Sequence, residues 1–348
     1  MQPRASIIIV SYNRKQDVLR CLQSVNKTRD VTFEVIVVDN ASSDCTADTL
    51  ATECHDITLI CSSTNLGFAG GCNLGARHAR GEYLVFLNQD TTVDPGWLGA
   101  LLRALDSDTD VGLVTSKILM LHQPERINAC GNSVHITGLT LCRGLGAPST
   151  SFTEEEEVDS VSGAAFAIRR NLFDTLRGFD ETTFLYMEDI DLSLRARLAG
   201  AASSYVPDSV VFHDYSFKVF PLKVYYQERN RYLMLLKSLR WLTILALVPA
   251  LIAAEAIAWG FVILYDRSNA ANKIRAYDWV LENWWLIMDA RREVQSKRAI
   301  RDHELLRHTS FRLELDQARQ TAVAKIGQRL LDPFFWVLRR ITLLIVRW

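Results

Sequence analysis

The sequence predicts a doubly wound α/β domain over residues 1–216, followed by a mainly helical, basic region over 217–348. Three observations carry this prediction. Short β-branched apolar runs alternate with helical patterns in the first half, as in a parallel sheet covered by helices on both faces. Polar residues gather at the ends of those runs, where open α/β sheets bind ligands. Charge also divides along the chain. Residues 1–217 hold 17 Lys and Arg against 28 Asp and Glu, a balance of −11, whereas residues 218–348 hold 22 against 12, or +10.

The runs 6–11 (SIIIVS), 34–39 (EVIVVD), 57–61 and 82–87 (EYLVFL) read as buried strands, with helices expected at 14–24, 43–53 and 71–80. Asn13, Asp39, Asn40, Asn88 and Asp90 fall at or just past strand ends. Beyond Asp90, residues 95–105 read as a helix and 111–118 as a strand. The stretch 120–160 is poorly periodic, and its acidic run 154–157 reads as a solvated loop. A strand-like pattern returns at 158–168 (VDSVSGAAFAI). Residues 187–200 read as a helix stopped by Gly200, and 206–212 as a strand ending at His213.

In the second region, 241–265 carries a single charge, Glu255, and one proline, Pro249. Its length satisfies a membrane span, but Glu255 would be costly in hydrocarbon and Pro249 could kink or break the helix. Cations lie on both sides, so an interfacial or re-entrant helix fits as well as a crossing. The last segment, 333–348 (PFFWVLRRITLLIVRW), has the mixture of aromatic, aliphatic and arginine residues of an in-plane amphipathic helix.

These features bound the function. With 348 residues, 49% of them hydrophobic, the chain can build a full core and more than one structural unit. The acidic first half argues against nucleic acid as a substrate, and the basic, aromatic second half suits an anionic membrane surface. Seven cysteines without a CxxC pair fit free thiols in a reducing cytosol. The first residues lack the charged start, long apolar run and cleavage site of a signal peptide. The expected location is the cytoplasmic face of the cell membrane, with peripheral or re-entrant attachment; the oligomeric state stays open.

Four segments carry the chemistry: VVDNASSD (37–44), NLGFAGGCNLG (65–75), NQD (88–90) and YMEDIDLSLRAR (186–197). Helix capping explains Ser42, Ser43 and Asp44 but does not require Asp39, which could accept the N3–H of a uracil or thymine ring. The glycine-rich segment precedes a helix, where backbone N–H groups can meet phosphate. It fits neither G-x-G-x-x-G nor a P-loop, so a dinucleotide-binding domain is disfavoured and a P-loop NTPase excluded. Asp90 is a natural ligand for the hard divalent cation, magnesium or manganese, that a diphosphate leaving group calls for. Glu188, Asp189 and Asp191 crowd the first turn of one helix; like charges this close repel, which points to a general base rather than to stability. His213, at the same sheet edge as Asp90, could complete the metal site.

Together, in the order IIIVSYN, VVDNASSD, NLGFAGGCNLG, YLVFLNQDT, SGAAFAIRR, RGFDE, FLYMEDIDLSLRARLAG and VVFHDYS, these segments resemble glycosyltransferase family two, in particular its rhamnosyltransferase-like cell-envelope branch. The resemblance covers about residues 5–215 and implies a nucleotide-diphosphate-binding fold of the GT-A type with inversion at the anomeric carbon. It implies that Asp39 and Asn40 hold the nucleoside base, with Tyr12 and Asn13 beside it. Asn65, Gly67, Phe68 and Gly70 would line the donor pocket together with Asn88 and Gln89. It makes Asp90 a metal ligand with His213 as its second, and Asp189 the base with Glu188 or Asp191 as rivals. Arg195 and Arg197 would orient the acids or the diphosphate. One departure stands out: the family's Asp-x-Asp is Asn88-Gln89-Asp90 here, which removes one negative charge.

The expected activity is transfer of a sugar, L-rhamnose being one candidate, from a dTDP- or UDP-sugar to a lipid-linked or envelope glycan acceptor. Two other readings compete with it. Nucleotidylyl transfer would want a basic glycine-rich loop after the first strand, where Arg14-Lys15 supplies charge without glycines. A catalytically silent scaffold binding nucleotide-sugar or membrane would have no need of the acid cluster at 188–191.

Overall fold

The computed structural model describes residues 2–215, 221–314, 317 and 322–348. It separates into two compact units. The first comprises residues 1–132, 142–196 and 201–216; the second comprises 133–141, 197–200 and 217–348. The expected boundary at 216/217 lies outside the described residues.

The first unit is built on a ten-stranded sheet. Its first strands are β1 (Ala5–Ser11), β2 (Phe33–Asp39), β3 (Thr58–Cys61) and β4 (Tyr83–Leu87), separated by α1 (Lys15–Val25), α2 (Thr46–Glu53) and α3 (Gly67–His78). Then follow β5 (Thr91–Val93), α4 (Trp97–Ser107), β6 (Val111–Met120), β7 (Gln123–Ala129) and, after a separate two-stranded pair β8 (Asn132–Val134) and β9 (Thr140–Cys142) that falls largely in the second unit, the short β10 (Glu156–Glu157). The unit closes with β11 (Ala165–Arg169), α5 (Arg170–Thr175), α6 (Glu188–Leu198) and β12 (Ala202–His213). The sheet runs β10-β12-β6-β11-β4-β1-β2-β3. Strands β1 to β4 are mutually parallel, β11 is inserted antiparallel between β4 and β6, and β12 runs parallel to β6. The carboxyl ends of β1, β2, β4 and β12 therefore point the same way, and the polar run-ends of the sequence meet at one edge.

Alternation along β1 decides what each face covers. Ile7 and Ile9 join a core with Val18, Cys21 and Leu22 of α1 and Trp97, Leu98 and Leu101 of α4. Ile8 and Val10 face α3, and the glycines of α3 are what let it lie close. A Cβ at Gly71 would sit 2.7 Å from Val10 Cγ1, and one at Gly75 would sit 2.6 Å from Ile8 Cγ2. Two glycines of the rich segment thus serve helix–sheet packing rather than phosphate, and the helix opens at Gly67 rather than near 71.

Three further expectations are corrected. The stretch 120–160 is not loop throughout: β7 pairs antiparallel with β6, and Glu156–Glu157 pair with Ser204 and Tyr205 at the sheet edge. The run 158–168 becomes a strand only from Ala165, because Ser160 and Ser162–Gly163 use their backbone and side chains in a turn toward α6. The second helix starts at Thr46, after Asp44 accepts from the Thr46 N–H at 3.2 Å.

The second unit is helical: α7 (Pro221–Ser238), α8 (Trp241–Tyr265), α9 (Ala270–Glu282), α10 (Trp284–Ser296), α11 (Asp302–Arg307) and α12 (Ala322–Ile345). Pro249 does not break α8, and the terminal helix begins eleven residues before Pro333, which lies within it. Glu255, the lone charge of α8, is held on the flank facing α7 and α9. It accepts from Arg231, Tyr232 and, at 2.6 Å, Tyr277, with Lys273 Nζ 3.1 Å away.

Phe86 is the hinge of the sheet core, with ring centroids 5.1, 5.3 and 5.0 Å from those of Phe166, Phe173 and Phe179. Truncation there opens a cavity between β4, β11 and α5. Phe86→Ala should lower unfolding free energy by about 3–5 kcal/mol in urea titration; a loss under about 1 kcal/mol would show that the cluster is not the unit's core.

Candidate active site

At the aligned strand ends, Ser11 of β1 pairs with Asp39 of β2, and Asp39 with Cys61 of β3. Asp39 is buried. Its Oδ2 accepts from the Ser42 N–H at 3.1 Å, while Oδ1 has no hydrogen-bond partner among the described residues. A buried carboxylate oxygen left open costs free energy unless a ligand donor meets it. Asn40 differs from the expectation. Its amide is fully used, donating to Asn65 Oδ1 (3.0 Å) and Gly67 O (2.9 Å) and accepting from Leu66 N–H (2.9 Å). Asn40 ties the β2 end to the glycine-rich loop, and Asn65 adds a bond from Gly67 N–H at 2.8 Å.

The loop is closed from the other side by Phe184. Its carbonyl accepts from Phe68 N–H at 2.7 Å and caps the start of α3. Gly67 is at φ +71°, and a Cβ there would lie 2.3 Å from that carbonyl, so only glycine fits. A Cβ at Gly70 would lie 2.9 Å from Leu66 Cβ. Phe184, Tyr186 and Met187 all have positive φ, a costly backbone immediately before the acids.

On the β1 side, Gln89 Oε1 accepts from Ser11 Oγ (2.9 Å) and Tyr12 N–H (3.1 Å), clamping the strand end. Asn13, at φ 51°, accepts from Ser43 N–H at 2.7 Å. Tyr12 is exposed, so its ring is available to a planar ligand. Asn88 takes part through its backbone, whose N–H donates to Ala164 O at 3.0 Å.

Asp90 and His213 come together. Asp90 Oδ1 lies 3.3 Å from His213 Nε2, and Oδ2 accepts from Arg14 Nη1 at 2.9 Å. Burial alone would raise the Asp90 carboxyl, but the hydrogen bond and charge of His213 and the charge of Arg14 outweigh it and hold it below the usual carboxylate range. His213 Nδ1 is 2.9 Å from Asn128 Oδ1. The contact with Asn128 fixes the ring so that Nε2 is the nitrogen that faces the carboxylate. An oxygen and an imidazole nitrogen converging in this way suit a divalent cation. No group of three or more His, Cys, Asp or Glu able to hold a metal alone occurs among the described residues.

The three acids part company. Asp191 is buried and forms an ion pair with Arg195 Nε at 2.8 Å, and Arg195 also donates to Leu176 O and Gly178 O, each at 2.9 Å. Asp191 and Arg195 therefore form a buried ion pair that ties α6 to the 176–178 turn. Asp189 Oδ2 accepts from Gly163 N–H at 2.7 Å and Asn132 Nδ2 at 3.4 Å, and Oδ1 accepts from Ile190 N–H at 2.9 Å. Burial raises its pKa, and the Gly163 and Ile190 N–H groups pull the other way. Glu188 is buried, and its Oε2 has no partner among the described residues. Burial, then the Asp189 charge, push it well above the carboxylate range. Of the two, Asp189 is built to hold the charge and Glu188 the proton. Arg197 falls in the second unit.

Sequence reasoning missed Gly163, Asn132 and Asn128. Only the glycine inside an otherwise apolar run signalled the first of these; the asparagines lie in the stretch expected to be loop.

The family model "Glycosyl transferase family 2" matches residues 6–176. This segment is a glycosyl transferase family 2 domain. The chain is 26% identical over 238 residues to N-acetylglucosaminyl-diphospho-decaprenol L-rhamnosyltransferase of Mycobacterium tuberculosis, covering 60% of this chain and 75% of that protein. It is 33% identical over 211 residues to an O-antigen biosynthesis protein of Myxococcus xanthus, covering 57% of this chain but 16% of that one. Among solved structures, S. aureus TarS 1–349 in complex with UDP-GlcNAc has a TM-score of 0.56 at 18% identity, covering 97% of this chain and 90% of that one. The mannosyltransferase PcManGT of Pyrobaculum calidifontis, solved with GDP-Man and Mn2+, has a TM-score of 0.52 at 16% identity, covering 99% and 88%. These likenesses establish the GT-A glycosyltransferase fold for the family 2 domain.

The separation of the acids is measurable. Asp191→Ala leaves Arg195 buried without its partner and should cost about 3–5 kcal/mol of stability. Asp189→Asn should shift the thermal midpoint far less. Equal destabilisation by both would refute the division of roles.

Proposed function

We propose that the chain is an inverting, metal-dependent glycosyltransferase that moves a sugar from a uridine or thymidine diphosphate donor to a lipid-linked or envelope glycan acceptor at the cytoplasmic face of the cell membrane. The observation that carries this reading is a single strand junction. Asn88 N–H bonds to Ala164 O, and the adjoining Gly163 N–H bonds to Asp189. The base thus sits next to the strand end that bears Asp90.

Asp39 Oδ1 is the acceptor for the imide N–H of a uracil or thymine, with the Tyr12 ring beside it. The likeness to a rhamnosyltransferase that acts on a decaprenyl-linked substrate favours L-rhamnose and a polyprenyl-diphosphate acceptor. Asp90 and His213 would hold magnesium or manganese, which when bound offsets the charge building on the departing diphosphate. Asp189 takes the proton of the acceptor hydroxyl. That oxygen then bonds to the anomeric carbon as the bond from that carbon to the diphosphate oxygen breaks, and the nucleoside diphosphate leaves on the opposite face. Arg14 balances Asp90 and keeps it ionised before the donor arrives.

Purified full-length protein with manganese or magnesium should bind and slowly hydrolyse UDP- or dTDP-sugars. Failure to engage any nucleotide-sugar would sink the proposal. Asp189→Asn should reduce transfer by about 10³-fold or more, with donor affinity within about threefold of the parent. The acidic limb of the transfer rate should sit above the ordinary carboxylate range, because a base with a raised pKa must lose its proton before it acts; a limb at or below that range would reassign the base. Asp39→Ala should weaken donor binding while leaving the pH limb in place.

A further inference from the structure

We infer that α8 and α12 together form a monotopic docking face for an anionic lipid bilayer, with α8 lying in the membrane plane and not crossing it. The inference rests on the membrane location proposed above and specifies the surface and its mode of contact. Among the described residues, α8 is the one helix long and apolar enough to cross a membrane, yet little of it is buried. Most of its exposed positions follow one face, among them Leu242, Leu245, Val248, Ile252 and Ile263, with Ala256 between, whereas Phe261 and Leu264 near its end lie off it. The inner face of α8 uses Ala250 and Ala254 to receive Phe335 of α12.

Helix α12 leaves a second stripe exposed: Leu330, Phe334, Val337, Ile341 and Leu344, spaced alternately four and three residues apart. Beside it runs an exposed row of Arg329, Arg340 and Arg347, and the Arg340 guanidinium lies 5.3 Å from the Trp336 ring centre. Apolar stripe, aromatic edge and arginine row are what an interfacial helix needs on a surface of acidic headgroups.

Two facts place α8 in the plane. Exposed arginines flank both its ends, Arg240 before and Arg267 after, so neither end prefers the far side of a membrane. Glu255 is paired with Arg231 and Lys273, which also contact Glu228 at 2.8 and 2.9 Å. A crossing α8 would carry this four-charge cluster into hydrocarbon. In-plane, the cluster stays within the protein and the exposed stripe alone meets the acyl chains.

The test uses the full chain, sedimented with vesicles of phosphatidylcholine containing phosphatidylglycerol, and with phosphatidylcholine alone. The double variants Leu245→Glu/Ile252→Glu and Val337→Glu/Ile341→Glu should each weaken binding to the anionic vesicles by about tenfold or more. Binding to the neutral vesicles should be weak throughout. Circular dichroism and donor hydrolysis without vesicles confirm that each variant is folded. Retained vesicle binding by the α8 pair would overturn the two-helix face. So would a lipid-free dimer that the α8 pair dissociates, because a second copy would then cover the stripe. Ser268→Cys, treated in intact cells with a membrane-impermeant maleimide, should react only after lysis; labelling from outside would mean that α8 crosses. Donor hydrolysis is read separately, so failure of the catalytic proposal and failure of the docking face cannot be confused.

Discussion

The hydrogen bond from Gly163 N–H to Asp189 Oδ2 is the contact on which the site depends. It forms where β11 begins and β4 ends, so one backbone junction sets Asp189 of α6, the proposed base, against the strand end that leads into Asn88, Gln89 and Asp90. A Cβ at Gly163 would lie 3.2 Å from Asp189 Oδ2, a tight contact that the carboxylate would have to shift to accept. The same bond helps divide the labour between neighbouring acids. Asp189 receives N–H donors that favour its ionised form, and Glu188 receives none at Oε2, so burial raises both carboxyls but raises Glu188 further.

The strained turn before those acids belongs to the same construction. Phe184, Tyr186 and Met187 hold left-handed backbone that is unfavourable for side chains of their size. What keeps the turn in place is the Phe184 carbonyl, which caps α3 over Gly67. The glycine-rich loop and the acidic helix therefore share one peptide group, and Asn40 joins that assembly to the end of β2 that carries Asp39. Residues more than a hundred positions apart are held in one network of backbone and amide contacts, within which neither the loop nor the acids can shift alone.

Much of this was legible in the sequence. The β-branched runs at 6–11, 34–39 and 82–87 became β1, β2 and β4, because a strand buried on both faces leaves little choice of residue. Asp39, Asp90, His213 and Asp189 stood out because each is a polar group where burial would otherwise select against it. The roles of Asn40, Gln89 and Asp191 were not legible, since an amide or carboxylate that binds a ligand and one that ties two loops have the same spacing. Only the partners separate them: Asn65 and Leu66 for Asn40, Ser11 for Gln89 and Arg195 for Asp191. The strands within 120–160 escaped notice because edge strands with one solvated face and several glycines carry a weak apolar period.

The altered Asp-x-Asp triplet is best understood through what replaced each member. Gln89 is committed to the end of β1 and Asn88 contributes its backbone, so Asp90 is the single carboxylate of the triplet. His213 adds an imidazole nitrogen and Arg14 a positive charge, which leaves this edge less negative than a pair of aspartates would. A hard cation prefers about six oxygen-rich ligands. With two supplied by the chain, most of the remainder in the proposed reaction must come from the donor diphosphate and water. A site of that kind would be completed by its substrate: Asp90 and His213 would present an incomplete set of ligands, and the anionic donor would supply the rest.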